Sequence, residues 1–457
     1  MLGKWSRKLG PSRLIALSFV ILILTGTFLL CLPVSARDGN FTSPLDALFT
    51  ATSATCVTGL IVADTFTKWS LFGQIVILIL IQIGGIGLMS FISMFFIFMK
   101  RKLSLQERML LMQAAGNTQL SGMVKLVRRI VSGTFLIEGC GALLLALRFI
   151  PRMGFGQGLY YAVFHAISAF CNAGFDILGF EKPDNSLIGY ANDPLVCIPV
   201  ALLIIVGGLG FIVIHNIYYA KLFPSLKKKK RLPLNLHSRV AICMTVALLV
   251  IGTVGFLAFE WNNTLEGKNF FQKLLVSFFQ STSARTAGFA SVDIASEHDI
   301  TKLLTVILMF IGAAPAGTGG GIKVTTFVVL VATVVSVMFG KEDTTLNHRR
   351  IEKGTVYRAL SITTVSMLVV FFATGVILAT NDHPISAIDA LFEATSAFGT
   401  VGLTASLTPT LNWISKFVLS LTMFIGRVGP ISLALAIAIK RARNKGAILP
   451  EGKIVVG

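Results

Sequence analysis

A chain of 457 residues with 54% hydrophobic and only 13% charged residues, and a mean hydropathy of +0.79, falls far below the roughly 25% charged content of soluble domains. That composition excludes a water-soluble globular protein. The net charge of +19 points to nucleic acid or to anionic lipid, and the placement of the basic residues decides between them.

A membrane-crossing helix needs roughly 20 apolar residues. In chain order such runs are predicted at Leu14 to Val34, Leu71 to Met99, Ile130 to Ile150, Leu195 to Ala220, Val240 to Phe259, Thr301 to Gly340, Ala359 to Ala379 and Phe417 to Ile439. Lys4, Arg7 and Lys8 before the first run, with Val34-Ser35-Ala36 at its end, imitate a secretory signal. The run is too long for one. Between the first and second runs of each successive pair lies a semi-apolar stretch of about a dozen residues, the length of a re-entrant segment.

Of the 40 Lys and Arg, 28 lie before Leu14, at Lys100 to Arg129, Lys221 to Arg239 or Lys341 to Arg358, or after Ile439. These segments, and with them both termini, are predicted to be cytoplasmic. The opposite face collects 15 of the 21 acids, among them Asp38, Asp64, Asp176, Glu181, Asp293, Glu297 and Asp382. The basic excess is thus a topology signal with membrane lipid, not nucleic acid, as partner. Lys227 to Arg231 reads as a loop anchored at anionic headgroups, with a docking surface for a cytosolic protein as the open alternative.

The short segments repeat one another: FTATSATCVTGL from Phe49, FHAISAFCNAGF from Phe164, FQSTSARTAGF from Phe279 and FEATSAFGTVGL from Phe392. Their glycines, Gly59, Gly174, Gly288 and Gly402, are spaced by 115, 114 and 114 residues. The expected fold is all-α and polytopic, with four tandem units of outer helix, pore helix and second helix around a pseudo-fourfold pore. The units are 1–110, 111–232, 233–345 and 346–457, the last with a basic tail. All four units have the same polarity, so the glycine segments converge on an axis along the membrane normal. Glycine permits the dihedrals that aim consecutive carbonyls at one axis, and rings of carbonyls replace the hydration shell of a cation. The short helices before the glycines, for example Pro44 to Ala54 and Pro384 to Ala397, begin with Pro in the first turn. Their negative ends face the ion.

The run Thr301 to Gly340 would form a helix of about 60 Å, twice the ~30 Å hydrocarbon core, so it breaks or protrudes. It contains GAAPAGTGGGIK, Gly312 to Lys323, which fits neither a Walker loop nor a dinucleotide loop. Pro315 removes a helix bond and the glycines weaken the rest. At the corresponding place the other second helices carry Gly84-Gly85-Ile86-Gly87, Gly207-Gly208-Leu209-Gly210 and Gly426-Arg427-Val428-Gly429. Arg427 is mid-helix, where an arginine costs ~2.5–3.5 kcal/mol and faces the bundle interior.

Four coupled units with one glycine each, and a loop inside the third second helix, resemble the Trk/Ktr/HKT superfamily of potassium transporters. The resemblance spans about residues 14 to 445 and is strongest to membrane subunits of bacterial Ktr systems. It implies potassium uptake across a bacterial plasma membrane, with a sodium or unselective cation pathway as the alternative. Val57, Thr58, Gly59, Asn172, Ala173, Gly174, Thr286, Ala287, Gly288, Thr400, Val401 and Gly402 would then form the filter that binds K+. Glycine rather than serine at Gly59 points to potassium. The intramembrane gate loop would be Gly312, Ala313, Ala314, Pro315, Ala316, Gly317, Thr318, Gly319, Gly320 and Gly321, with Arg427 in the pore and Lys323 either beside the loop or reaching the cytoplasmic surface. The resemblance implies K+ as the cargo and leaves open Na+ as a coupling or activating ion, with no organic cofactor expected in this chain. Partners would be a second copy of the chain, as a homodimer, and a cytosolic nucleotide-binding ring of the RCK type, KtrA-like.

Four residue types keep structural readings. The third unit has three residues, not four, between Ser283-Ala284 and Gly288, which leaves Arg285 either tethering the filter from behind or facing the outer mouth. Glu138, alone in a span, reads as a hydrogen bonder, with a coupling residue as the open alternative, and His165 as a pore-helix brace in the slot of Thr50, Gln280 and Glu393. The six cysteines lack metal-like pairing, and no His, Asp, Glu or Cys constellation supports catalysis.

Overall fold

The computed structural model describes residues 11–87, 123–180, 185–217, 234–347, 349–381 and 383–430. The cluster Lys227 to Arg231, Glu181, Asp382, the basic tail and the inner parts of the first and fourth second helices lie outside the described residues.

The same three elements recur four times. The outer helices are α1 (Pro11–Cys31), α4 (Met123–Met153), α8 (Leu236–Phe259) and α12 (Lys353–Thr380), each long and apolar enough to cross a membrane. Helix α1 shows why composition reads as it does. Leu17, Ile21, Leu24 and Phe28 form an exposed stripe, while Phe19, Ile23 and Leu30 are buried. A helix that is apolar on both faces suits lipid on one side and protein on the other.

The pore helices α2 (Pro44–Cys56), α5 (Phe155–Cys171), α9 (Phe270–Ser283) and α13 (Ala387–Gly399) are almost wholly buried along their C-terminal halves. Pro44 stands in the first turn of α2, as the sequence suggests. Pro384 does not play this part in the fourth unit, where the helix begins at Ala387 behind Ser386.

The second helices are shorter than the apolar runs read from the sequence, and the third is broken rather than protruding as one long helix. Helix α3 (Leu71–Ile86) stops at Gly87, α6 (Pro194–Leu209) at Gly210 and α14 (Trp413–Val428) at Gly429. All three glycines adopt φ of +84° to +90° with ψ of 125° to 145°, a region that side chains exclude. After Gly210 the chain continues as α7 (Phe211–Ile217), bent by 96° from α6. In the third unit α10 (Asp299–Phe310) and α11 (Val324–Met338) flank the glycine-rich loop. Among the described residues, the second helices of the second and third units resume after a break, and those of the first and fourth end at Gly87 and Gly429.

Glycine also sets how close these helices come to the pore helices. A Cβ on Gly84 would stand 2.9 Å from the Thr55 carbonyl carbon, one on Gly207 3.1 Å from that of Phe170, and one on Gly426 2.8 Å from that of Phe398. The second helices of the first, second and fourth units thus lie backbone to backbone against the ends of their own pore helices.

Polar contacts join successive units. Tyr160 of α5 donates to Gln74 of α3 at 3.0 Å, and Leu187 N donates to Ala290 O at 3.0 Å. Lys302 of α10 pairs with Asp389 of α13 at 2.7 Å, and Lys416 of α14 with Asp46 of α2 at 3.4 Å, which closes the circle. Within the membrane Glu138 accepts from Gln82 Nε2 at 3.1 Å on both oxygens, so this buried carboxyl bonds between α4 and α3.

Beyond the end of α8, Glu260 accepts from Thr301 Oγ1 at 2.6 Å, His298 N at 2.9 Å and Thr264 Oγ1 at 3.0 Å. Burial raises its pKa, but these bonds outweigh it and hold the carboxyl below its usual value. Glu297 is buried near it, and neither of its oxygens has a hydrogen-bond partner among the described residues. Burial first, then the charge of Glu260, lift its pKa well above the ordinary range, with Lys302 opposing. The folded chain therefore holds a proton here that the unfolded chain releases near pH 4.3, so this group costs stability as pH rises above that value. Glu297→Gln is expected to raise the thermal midpoint of detergent-solubilised protein at pH 7 to 8, by an amount equivalent to roughly 1–3 kcal/mol. The two proteins should converge near pH 4. Parallel midpoint curves across that range would remove Glu297 as the cause.

Candidate ion filter and gate

The twelve filter positions read from the sequence come together where the four pore helices end. Each chain leaves its helix through one left-handed residue two positions before the glycine: Val57 at φ 57°, Asn172 at 58°, Thr286 at 80° and Thr400 at 50°. The helix ends follow one capping pattern in three units, with Val57 N on Ala54 O and Thr58 N on Ser53 O, and the same bonds at Asn172 and Ala173 and at Thr400 and Val401. In the third unit, one residue shorter, Ala287 N and Gly288 N both return to Ser283 O. The shortening is absorbed at the end of α9, and Thr286 keeps the same place relative to its glycine. Left-handed backbone at β-branched Val57, Thr286 and Thr400 costs on the order of 1–3 kcal/mol each, and such strain marks a site whose shape matters.

The glycines follow at φ 93°, 69°, 82° and 96°. A Cβ on Gly59 would meet Ala173 O at 2.5 Å, and one on Gly174 would meet Ala287 O at 2.7 Å. One on Gly288 would collide with Val401 O, and one on Gly402 with Thr58 O. Each glycine is pressed against the residue before the next glycine, and the fourth returns to the first. Above them opens a vestibule of about 210 Å³ lined by all four glycines, with Asp176 and Asp293 among its walls. The C-terminal, electronegative ends of four helices converge below it.

The motif serine, visible in all four segments but unassigned by sequence reasoning, braces this ring. Ser53 Oγ accepts from Gly59 N and Ser396 Oγ from Gly402 N, both at 3.0 Å. In the other two units the hydroxyl donates instead, Ser168 to Phe175 O at 2.6 Å and Ser283 to Phe289 O at 2.5 Å. The slot of His165 braces the same region. Glu393 accepts from Thr408 Oγ1 at 2.8 Å and from Thr404 Oγ1, Gln280 Oε1 meets Ser291 Oγ at 3.3 Å, and His165 Nδ1 bonds Tyr161 O at 2.7 Å. Arg285 turns away from the vestibule: its guanidinium reaches Thr245 of α8 at 3.3 and 3.4 Å. Of the two roles open from the sequence, the geometry is that of a tether behind the ring.

The loop Gly312 to Lys323 passes directly beneath. Gly320 N donates to Thr400 Oγ1 at 2.9 Å, and a Cβ on Gly319 would collide with the Thr286 hydroxyl. With its amide nitrogen on Ala169 O and Ile204 O, Asn172 accepts from Thr286 Oγ1 at 3.0 Å. The loop is also stitched to the broken end of α6, with Ala314 N on Gly208 O at 3.0 Å, Thr318 N on Gly207 O at 3.2 Å and Phe211 N on Ala316 O at 3.1 Å. Lys323 Nζ holds Gly319 O at 2.6 Å and Gly320 O at 3.3 Å. Arg427 donates to Thr318 O of the loop and to Gly84 O, with Gly85 O at 3.5 Å. Lys323 at the loop's own end and Arg427 of α14 thus grip the loop by its carbonyls, and Arg427 ties it to the end of α3.

Four tandem units, each with a spanning helix, a re-entrant helix and a second helix around a common axis, define a multi-pass membrane transport protein. A family model described as TrkH, cation transport protein, matches residues 12–446, and the chain belongs to this family. The chain is 38% identical over 459 residues to Ktr system potassium uptake protein B of Bacillus subtilis (strain 168), covering 99% of this chain and 98% of the relative. It is 40% identical over 455 residues to potassium/sodium uptake protein NtpJ of Enterococcus hirae, with 99% and 98% covered. In fold it resembles the crystal structure of the potassium transporter TrkH from Vibrio parahaemolyticus, with a TM-score of 0.70 and 17% identity over 92% of this chain and 84% of that one.

The two kinds of serine bond give unequal expectations. Ser53→Ala and Ser396→Ala each orphan a buried N–H, which costs about 1–3 kcal/mol, whereas Ser168→Ala deprives only a carbonyl, a group less often left costly. The first two variants should melt at lower temperature than the third in the same detergent. The reverse order would show that the serines do not brace the ring through these bonds.

Proposed function

We propose that this protein takes up potassium ions through the ring formed by Gly59, Gly174, Gly288 and Gly402, with the loop Gly312 to Gly321 as its gate. The observation that carries this reading is the closed circle of contacts from each glycine to the next unit's carbonyl. Backbone carbonyls of Val57, Thr58, Asn172, Ala173, Thr286, Ala287, Thr400 and Val401 would replace the water around the ion, and the pore-helix ends add negative potential. The names of the relatives from B. subtilis and E. hirae support potassium as cargo and sodium as a second ion, whether coupled, activating or carried. That the loop lies beneath the ring, held by Lys323 and Arg427, supports its reading as the gate. Fixed positive charge there repels a passing cation in a low-dielectric cavity.

Uptake of rubidium and sodium into proteoliposomes separates the two parts. Gly59→Ser introduces atoms against Ala173 O at a strained φ, and is expected to reduce the preference for potassium several-fold. Shortening the loop within Ala313 to Gly321, or Arg427→Gln, should instead raise flux with the preference unchanged. The two gate changes together should give less than the sum of their effects, as for neighbours on one barrier. An unchanged ion preference in Gly59→Ser removes that residue from the filter. A loop deletion with parental flux at equal abundance removes the gate.

The placement of Lys and Arg supports a plasma-membrane protein with both termini in the cytoplasm. The Ktr system naming of relatives supports a membrane subunit that works with other components, and we read these as a second copy of the chain and a cytosolic nucleotide-binding ring. ATP and ADP are then expected to change flux only when that second chain co-purifies. Isolation from native membranes of this chain alone, with flux indifferent to nucleotide, is the contrary result.

A further inference from the structure

The bend at Gly210 turns α7 away from α6 by 96° and leaves a cavity of about 580 Å³ between α7 and α4. Its size falls within the roughly 300–1,000 Å³ of ligand sites. Ile137, Phe211 and Ile214 give it apolar walls, and Arg129, Ser132 and His215 supply polar groups. Arg129 and its neighbour Arg128 are exposed on α4, on a segment that belongs to the basic face of the chain. We propose that this cavity binds an anionic phospholipid, with one acyl chain against Phe211 and Ile214 and the headgroup phosphate on Arg129.

The mixed character of the lining selects this occupant. Apolar walls gain nothing from a free anion, and a bilayer is the source of a ligand with both a long apolar chain and a phosphate. The arginine favours a net negative headgroup over a zwitterionic one, as basic pockets between membrane helices do. The position also gives the lipid a route to the gate. Phe211 lines the cavity, and its backbone N donates to Ala316 O of the loop at 3.1 Å. Gly210 is so close to the loop that a Cβ there would stand 2.5 Å from Pro315 O. A lipid wedged between α4 and α7 supports the position of α7 to which the loop is bonded, and so favours the loop's place beneath the ring. A ligand shifts such an equilibrium only as far as it prefers one of the two states.

The test uses the full chain in vesicles of phosphatidylcholine with increasing phosphatidylglycerol. Native mass spectrometry of protein released from these vesicles counts retained lipid, independently of any transport. The parent should retain phosphatidylglycerol in preference to phosphatidylcholine, and Arg129→Gln should reduce that retention about fivefold, as for loss of one arginine contact. Gly133 also lines the cavity, and a Cβ there meets nothing within 4 Å. Gly133→Phe should therefore fill the space and displace both lipids at an unchanged thermal midpoint. Flux should fall as phosphatidylglycerol rises in the parent and be insensitive to it in both variants. Equal retention of the two lipids by the parent, or retention unchanged in both variants, overturns the proposal. So does release of the bound lipid by inorganic phosphate, which would mark an anion site. Crosslinking of Gly133→Cys to a second copy or to another segment of this chain would show a protein occupant and have the same force.

Discussion

Everything at the centre of this protein depends on four backbones meeting without side chains between them. Gly59, Gly174, Gly288 and Gly402 stand at positive φ, each against a carbonyl of the neighbouring unit. No other residue offers both the dihedral and the missing volume. The contact is cyclic, so no unit closes its part of the ring alone. That is why the surrounding helices are tied across every seam by a hydrogen bond or an ion pair, from Gln74 with Tyr160 to Lys416 with Asp46. The costs at Val57, Thr286 and Thr400 persist because serine hydroxyls and helix-end bonds over-determine the local backbone.

The same device is used a second time one layer below. Glycines 84, 207 and 426 bring the second helices onto the pore helices, and glycines 87, 210 and 429 end them. Ending those helices at membrane depth leaves carbonyls without helical partners, a condition tolerated where protein or a water-filled cavity borders them. The loop and Arg427 make use of them. Thr318 N takes Gly207 O, Ala314 N takes Gly208 O, and the guanidinium takes Gly84 O. The broken helices and the loop are thus one structure in which the donors of one part satisfy the acceptors of the other, and the arginine is stabilised by bonds that offset its removal from water.

Much of this was legible in the residues. Spans follow from apolar length, the four units from a motif recurring at 114 or 115 residues, and the break in the third second helix from Pro315 among glycines. These are properties of local sterics and periodicity, which a single segment carries by itself. The assignment of Pro384 to a first helical turn failed because proline marks a helix start only within a few residues. That the other three second helices end inside their apolar runs was not read, because a glycine in an apolar helix is usually absorbed by packing, and nothing in Gly87, Gly210 or Gly429 alone announces the mirror-image dihedral each adopts.

Tertiary structure decided what depends on distant partners. The sequence alone determined that four glycine segments of like polarity share one axis, that the chain lies in a membrane, and that an arginine sits where arginine is costly. It did not determine that Arg427 spans 109 residues to Thr318 and 343 to Gly84, that Arg285 turns back to Thr245, or whether a given motif serine accepts or donates. Those choices follow from which backbone groups of other units come within hydrogen-bonding distance once the ring has closed, and the closure joins residues from all four quarters of the chain.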